Sequence, residues 1–106
     1  AVRGDVVMAP FGREEYMPVL VLSEGIYNQK SGTVIAIPLL EGKPATGFPL
    51  SYVLKSPVQG KSYYAKPGQI KTFSTLPLGN AVGHVETHEL RAIKEALLEI
   101  IGEPLL

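Results

Sequence analysis

Val19-Leu20-Val21-Leu22-Ser23 is a continuous apolar run rich in β-branched residues, and Thr33-Val34-Ile35-Ala36-Ile37 repeats the pattern downstream. Runs of this kind read as central strands buried on both faces. Ser31-Gly32 supplies a turn before the second run, and Pro38 a stop after it. Toward the N-terminus, Val6-Val7-Met8-Ala9 is a short strand ended by Pro10. Toward the C-terminus, Phe48 to Leu54 is predicted as a fourth strand, with Phe48, Leu50, Tyr52 and Leu54 on one face. Tyr63-Tyr64-Ala65 and Gln69 to Phe73 are further strand candidates around a turn at Lys66-Pro67-Gly68. The 11 Gly and 9 Pro that separate these runs favour many short strands over long helices.

After Val85 the period changes. Leu90, Ile93, Leu97, Ile100 and Ile101 recur at steps of three and four, which predicts one amphipathic helix over Glu86 to Ile101 with Arg91, Lys94, Glu95 and Glu99 facing outward. Glu86 and Glu89 fall in its first turn, where the helix dipole favours carboxylates. Gly102 closes it, and Pro104 prevents its resumption. The expected fold is mainly β: a small, strongly bent barrel of about six strands with a C-terminal α-helix, in one domain over residues 1–106.

A chain of 106 residues, 45% hydrophobic and 19% charged, suits one globular domain and excludes a multidomain enzyme. Zero Cys excludes disulfides, iron–sulfur clusters, thiolate zinc sites and a Cys nucleophile. No apolar run reaches membrane-spanning length, and Ala1 to Asp5 lack a signal-peptide pattern, so the expected setting is cytoplasmic with no membrane partner. Charge sums to zero but is unevenly spread. Residues 1–26 carry two cations against four acids, residues 27–80 six lysines against Glu41 alone, and residues 81–106 two cations against five acids. Tyr52, Tyr63, Tyr64 and Phe73 interleave with the middle lysines, a pattern that serves single-stranded nucleic acid by stacking bases and pairing phosphates. Lysines on exposed strands also discourage edge pairing, and both readings stay open at this point.

Taken in order, several short motifs resemble the MazF/PemK family of toxins from toxin–antitoxin modules. They are Arg3-Gly4-Asp5-Val6-Val7, Pro18-Val19-Leu20-Val21-Leu22-Ser23, Tyr27-Asn28 with Lys30 and Gly32 in a hairpin, Ile37-Pro38-Leu39, Gly47-Phe48-Pro49-Leu50, Gln69-Ile70-Lys71 and Gly83-His84-Val85. The resemblance covers nearly the whole chain. It implies an SH3-like barrel that forms a homodimer, with single-stranded RNA in a groove at or near the dimer interface. It also implies a sequence-specific endoribonuclease without cofactors, inhibited by a MazE-like antitoxin whose acidic, apolar segment crosses the same groove.

Cleavage of this kind needs no metal: the 2′-hydroxyl attacks its own phosphate, and the protein supplies a base, an acid and a cation. Where most family nucleases carry an Arg before the Pro of the second strand, this chain has Met17; where a Thr or Ser follows the third strand, it has Leu40. The resemblance therefore directs attention to neighbouring residues. Arg13 in the loop from Phe11 to Met17 stands as cation or acid, Glu14 or Glu15 as base, and Thr46, in the loop from Leu39 to Gly47, as phosphate ligand. Lys43, Tyr52, Gln69, Lys71 and Phe73 are the expected RNA-binding residues. Each has a plain structural alternative: a solvated turn for Arg13-Glu14-Glu15, strand entry for Thr46, an idle loop lysine for Lys43. His84 and His88 lack the third ligand and the intervening Glu of a zinc helix, and read as surface or capping residues. Asp5 holds a turn. Two alternative functions remain: a catalytically silent RNA- and antitoxin-binding relative, favoured by Met17 and Leu40, and a CcdB-like gyrase poison, which lacks its terminal aromatic here. An SH3-like peptide-binding module lacks the acidic and Trp cluster of a Pro-rich ligand groove.

Overall fold

Strand β3, Thr33–Glu41, bonds to three others. In the structure, a computed structural model that describes residues 1–102, its first half pairs with β6 (Lys71–Ser74), its middle with β2 (Tyr16–Val21) and its end with β5 (Tyr63–Ala65). β1 (Asp5–Pro10) adds to β2, β7 (Ala81–His84) to β1, and the short β4 (Tyr52–Val53) to β5. All pairings are antiparallel, and the seven strands curl into a half-barrel against a C-terminal helix α2 (Thr87–Ile101). This is the expected mainly-β class, with β7 as an additional strand.

Pro10 is the last residue of β1, as expected, whereas Pro38 sits inside β3 rather than ending it. β3 runs through Pro38 to Glu41, so the loop that follows begins at Gly42 and not at Leu39. Pro38 ends the β2 ladder, and it falls in the interval between the β6 ladder at residues 33–36 and the β5 ladder at residues 39–41. A missing N–H there interrupts no run of ladder bonds. Pro10 pairs with Tyr16 at the end of β1, while β7 stops opposite Val7, so the far edge of Pro10 has no strand to bond. The predicted strand over Phe48 to Leu54 shrinks to Tyr52–Val53, the two residues that pair in register with β5, with Leu54 N–H donating to Tyr63 O at 3.1 Å beyond them. Phe48 and Leu50 lie in a turn, closed by Ser51 N–H donating to Gly47 O at 3.1 Å, and both are 56% exposed. Gln69 likewise lies before its strand, in a 3-10 turn over Pro67–Gln69.

The expected hairpin around Tyr27-Asn28 is instead a helix, α1 (Gly25–Ser31), ended by Gly32 in the left-handed region at φ 71°. Two turns are too short for a legible 3.6 period, and the helix depends on a tertiary contact. The buried Asn28 amide donates to Ala1 O at 2.9 Å and Ser23 O at 3.2 Å, and its oxygen accepts from the Ser23 hydroxyl. Ser23 Oγ in turn accepts Ile35 N–H at 2.9 Å. One side chain thus ties the N-terminus, the end of β2, α1 and β3 together.

The runs of unbroken apolar residues are buried on both faces. Val6, Leu20, Ile37 and Leu39 pack with Leu54, Val58, Ala65, Val85 and Ile93 of α2; Val7, Ala9, Val19, Val21, Val34 and Ala36 pack with Phe73 on the opposite face. α2 buries Ile93 and Ala96 and exposes Arg91, Lys94, Glu95 and Glu99, as its period predicts. Ile100 and Ile101 depart from the expected buried stripe at 38% and 67% exposed. Ile100 reaches only the edge of the Pro67–Gln69 turn at Gly68, and Ile101 passes beyond it. Gly102 N–H caps Leu98 O at 2.8 Å; Pro104, expected to block the helix, lies outside the described residues. No described helix is long and apolar enough to cross a membrane.

Gly4, just before β1, bonds to the segments on both sides of that strand: its N–H donates to Val21 O at 2.8 Å and its carbonyl accepts Val85 N–H at 2.7 Å. Its φ is +95°, and a Cβ there would meet His84 Cε1 at 2.8 Å and Val85 O at 3.0 Å. Gly4→Ala is expected to lower the unfolding free energy by about 1–3 kcal/mol in urea denaturation. Gly12→Ala, also left-handed but facing open space, should cost only about 1 kcal/mol.

Candidate nucleic-acid interface

Lys71 opens β6 with its ammonium 5.2 Å from the ring centroids of both Phe11 and Phe73. The two rings lie 5.5 Å apart, tilted by 60°. At that distance a cation is attracted by each ring face. Phe73 is 7% exposed and belongs to the second core, so it supports Lys71 from below. Phe11 is the first residue of the β1–β2 loop, which it closes by donating its N–H to Glu15 O at 2.9 Å. The clamp therefore fastens the late basic strand to the loop that carries Arg13, Glu14 and Glu15. These three side chains are exposed, on a tight turn with Gly12 at φ 72° and Glu14 at φ 60°. Among the described residues none of them is in a salt bridge or side-chain hydrogen bond, so the loop presents a guanidinium and two carboxylates to solvent and is joined to the Lys71 ammonium through Phe11.

The other candidates lie apart from that edge. Lys43 and Thr46 are exposed on the β3–β4 loop, where Thr46 Oγ1 is 3.3 Å from the buried Ser51 Oγ. No hydrogen bond among the described residues joins this loop to the Arg13 loop. Gln69 is exposed on the 3-10 turn before Lys71. Met17 and Leu40 are half-buried strand positions, opposite Ala9 and Tyr64 respectively.

Tyr52 is half-buried on β4 and turns its hydroxyl inward, donating to Glu89 Oε1 at 3.2 Å. Lys55 N–H donates to the same oxygen at 2.7 Å. Glu89, in the first turn of α2 as expected, is 2% exposed and serves as a buried acceptor that joins α2 to β4 and the segment after it. Burial pushes the Tyr52 phenol up from 10.0 to about 12, helped by the charge of Glu89 and the hydrogen bond to it. His84 ends β7 rather than sharing a helix face with His88; its Nδ1 is 3.1 Å from Asp5 Oδ1, while Asp5 Oδ2 accepts Val2 N–H at 3.0 Å and holds the turn.

Two residues of this region escaped sequence reasoning. Glu89 was legible in principle, since it shares the helix face of Ile93 and Ala96 at steps of four and three. Phe11 had no such signal, because only the folded sheet brings it beside Lys71.

The Tyr52 shift has a defined sign. A folded-state value near 12 against 10.0 unfolded means its contribution to stability is complete below pH 10 and lost as pH rises toward 12. In a tyrosinate absorbance titration Tyr52 is expected to ionise near pH 12, and Glu89→Gln should lower its midpoint.

The same architecture occurs in known proteins. The chain superposes on an endoribonuclease in complex with its cognate antitoxin from a mycobacterial species, with TM-score 0.82 and 23% identity, over 100% of this chain and 99% of that one. A second mycobacterial endoribonuclease gives 0.80 and 22%, over 100% and 95% of the two chains. MazF in its MazE–MazF complex from Deinococcus radiodurans gives 0.79 and 21%, over 98% and 97%. At these identities the likeness establishes the fold. No curated protein sequence matches the chain. A family model, described as PemK-like, MazF-like toxin of type II toxin–antitoxin system, matches residues 2–101. With nearly its whole length matched, the chain belongs to the PemK-like, MazF-like toxin family of type II toxin–antitoxin systems.

Proposed function

We propose that this toxin is a sequence-specific, metal-independent endoribonuclease that cleaves single-stranded mRNA. It acts as a cytoplasmic homodimer and is inhibited by a MazE-like antitoxin. The family and the endoribonuclease neighbours support the activity; the neighbours solved with an antitoxin support the partner. The observation that carries the site is the Phe11–Lys71–Phe73 clamp, which holds a cation beside the exposed Arg13, Glu14 and Glu15.

In this reading Glu14 or Glu15 takes the proton of the RNA 2′-hydroxyl. O2′ then attacks the adjacent phosphorus, and the bond from phosphorus to O5′ breaks. Arg13 stabilises the charge that develops on the phosphate oxygens while water gives O5′ its proton, or Arg13 itself gives that proton as the acid. Thr46 donates to a phosphate oxygen, and Lys43 pairs a phosphate further along the strand. Lys71 supplies charge to the backbone, with Phe73 beneath it. Gln69 and the exposed edge of Tyr52 contact RNA beside it. The products are a 2′,3′-cyclic phosphate and a 5′-hydroxyl.

Purified protein incubated with a long single-stranded RNA in EDTA is expected to yield discrete cuts bearing 2′,3′-cyclic phosphates. Arg13→Ala should slow cleavage by roughly 10²–10⁴-fold, with its thermal unfolding unchanged. Intact RNA with folded, antitoxin-free protein would sink the nuclease reading and leave a silent RNA- and antitoxin-binding relative. Met17 and Leu40 would then be the explanation.

A further inference from the structure

Tyr16 opens β2 with half of its surface in solvent, yet its hydroxyl is committed to the protein: it donates to Pro77 O at 3.3 Å, across 61 positions of sequence. That bond joins the foot of the Arg13 loop to the loop between β6 and β7. We propose that Tyr16 is a positioning residue of the nuclease site, a latch that holds Arg13, Glu14 and Glu15 in working geometry before RNA arrives. This role rests on the nuclease reading above and adds to it the element that keeps the loop in place.

Pro77 is a fixed point of attachment. On one side of it, Thr75 donates twice to Gly32 O, from its N–H at 3.0 Å and from its hydroxyl at 3.1 Å. On the other side, Leu78 N–H donates to Thr75 O at 3.3 Å, and the Leu78 side chain packs, as Phe11 does, against the second core. Gly79 N–H then donates to Met8 O at 3.0 Å, and a Cβ on Gly79 would stand 3.6 Å from Met8 Cβ. The β6–β7 loop is therefore bonded to the sheet on both sides of Pro77. A hydroxyl attached to Pro77 is attached to the sheet.

The charged loop needs such a hold. Two residues of the stretch from Phe11 to Glu15 are left-handed, Gly12 at φ 72° and Glu14 at φ 60°. Glycine adopts that conformation freely, whereas a glutamate keeps it only where its surroundings impose it. The side chains of Arg13, Glu14 and Glu15 impose nothing, since among the described residues they make no salt bridge or hydrogen bond. The constraint must then act at the two ends of the loop. At the first, the Phe11 ring lies 5.2 Å from the Lys71 ammonium and 5.5 Å from the Phe73 ring. At the second, Tyr16 pairs with Pro10 and bonds Pro77.

Position and stability separate at this residue. A hydrogen bond from a half-exposed phenol is replaced by one to water when it breaks, so its net contribution to folding is small. A displaced catalytic group matters far more, because reactive geometry fails within about 1 Å. Loss of the hydroxyl should therefore spare the fold and slow the chemistry. Tyr27 provides the comparison: it is 44% exposed, and its hydroxyl makes no hydrogen bond among the described residues.

The wild-type chain, Tyr16→Phe and Tyr27→Phe are compared by thermal unfolding, by nicking with a glutamate-specific protease without RNA, and by steady-state cleavage of a single-stranded RNA in EDTA. Tyr16→Phe is expected to unfold as the wild type does. Nicking after Glu14 or Glu15, located by mass spectrometry, should be at least about fivefold faster in it. Its kcat should fall about tenfold with KM within about twofold, since the hydroxyl orders the loop and touches no RNA. Tyr27→Phe should match the wild type throughout. Equal nicking of Tyr16→Phe would overturn the proposal, as would an unchanged kcat. A loss confined to KM would make Tyr16 an RNA contact, and a marked fall in unfolding temperature would make it a prop of the whole fold; either overturns it. Wild-type protein that leaves RNA intact removes the nuclease reading and the catalytic role with it, although faster nicking of Tyr16→Phe would still place the latch. Cleavage by the wild type together with equal nicking removes the latch alone.

Discussion

Strand β3 bonds to β6, β2 and β5 in succession, and that sharing shapes the rest of the molecule. A strand of nine residues cannot serve three partners while lying flat; its neighbours must leave it at different points, and the sheet curls as they do. Pro38 stands where the handover occurs. With no N–H to give, it suits the interval in which β6 has ended and β5 has not begun. The curl buries both faces of β1, β2 and β3, with Val34 and Ala36 turned to one core and Ile37 and Leu39 to the other. It also brings the start of β6 beside the β1–β2 loop, which places Lys71 over Phe11.

Polar groups make the remaining joins, each from inside the fold. Glu89 is buried with only a phenol and a backbone N–H to satisfy it. Such a carboxylate stays favourable when its hydrogen bonds replace water, and the same arrangement raises the affinity of Tyr52 for its proton. The Asn28 amide plays a similar part at the opposite corner, where it closes α1 against the N-terminus and Ser23. Glu89 ties α2 to the stretch from Tyr52 to Lys55, and Asn28 ties α1 to Ala1 and Ser23, so the loss of either would unbind more than its own element.

Charge follows a different logic. The lysines of residues 27–80 make the middle of the sequence basic, yet only Lys71 among them is held against aromatic rings. Meanwhile cations from the two acidic ends gather beside α2. Two electropositive features therefore occupy different surfaces: one open and flanked by carboxylates, the other recessed over aliphatic side chains. Their chemistry differs accordingly.

The amino-acid sequence by itself determined the strand-rich class, the central strands at Val19 to Ser23 and Thr33 to Ile37, the helix over Glu86 to Ile101 and the family, because apolar period and short motifs are local properties. The structure ends β2 at Val21, extends β3 to Glu41 and starts the helix at Thr87. Pro38 was misleading, since a proline's cost depends on whether a neighbour needs its N–H, and the neighbours come from elsewhere in the chain. The helix at Gly25–Ser31 and the turn at Phe48–Leu50 were likewise decided by what packs or pairs with them. Of the candidate site, the loop charges and the late lysine were visible as residue types. That Phe11 and Phe73 hold Lys71 beside Arg13, that Tyr52 faces a buried Glu89, and that Arg3 meets Arg91 and Lys94 were decided only by the tertiary structure. The physical reason is that each joins residues far apart in the chain, and only the closure of the sheet brings them within range of one another.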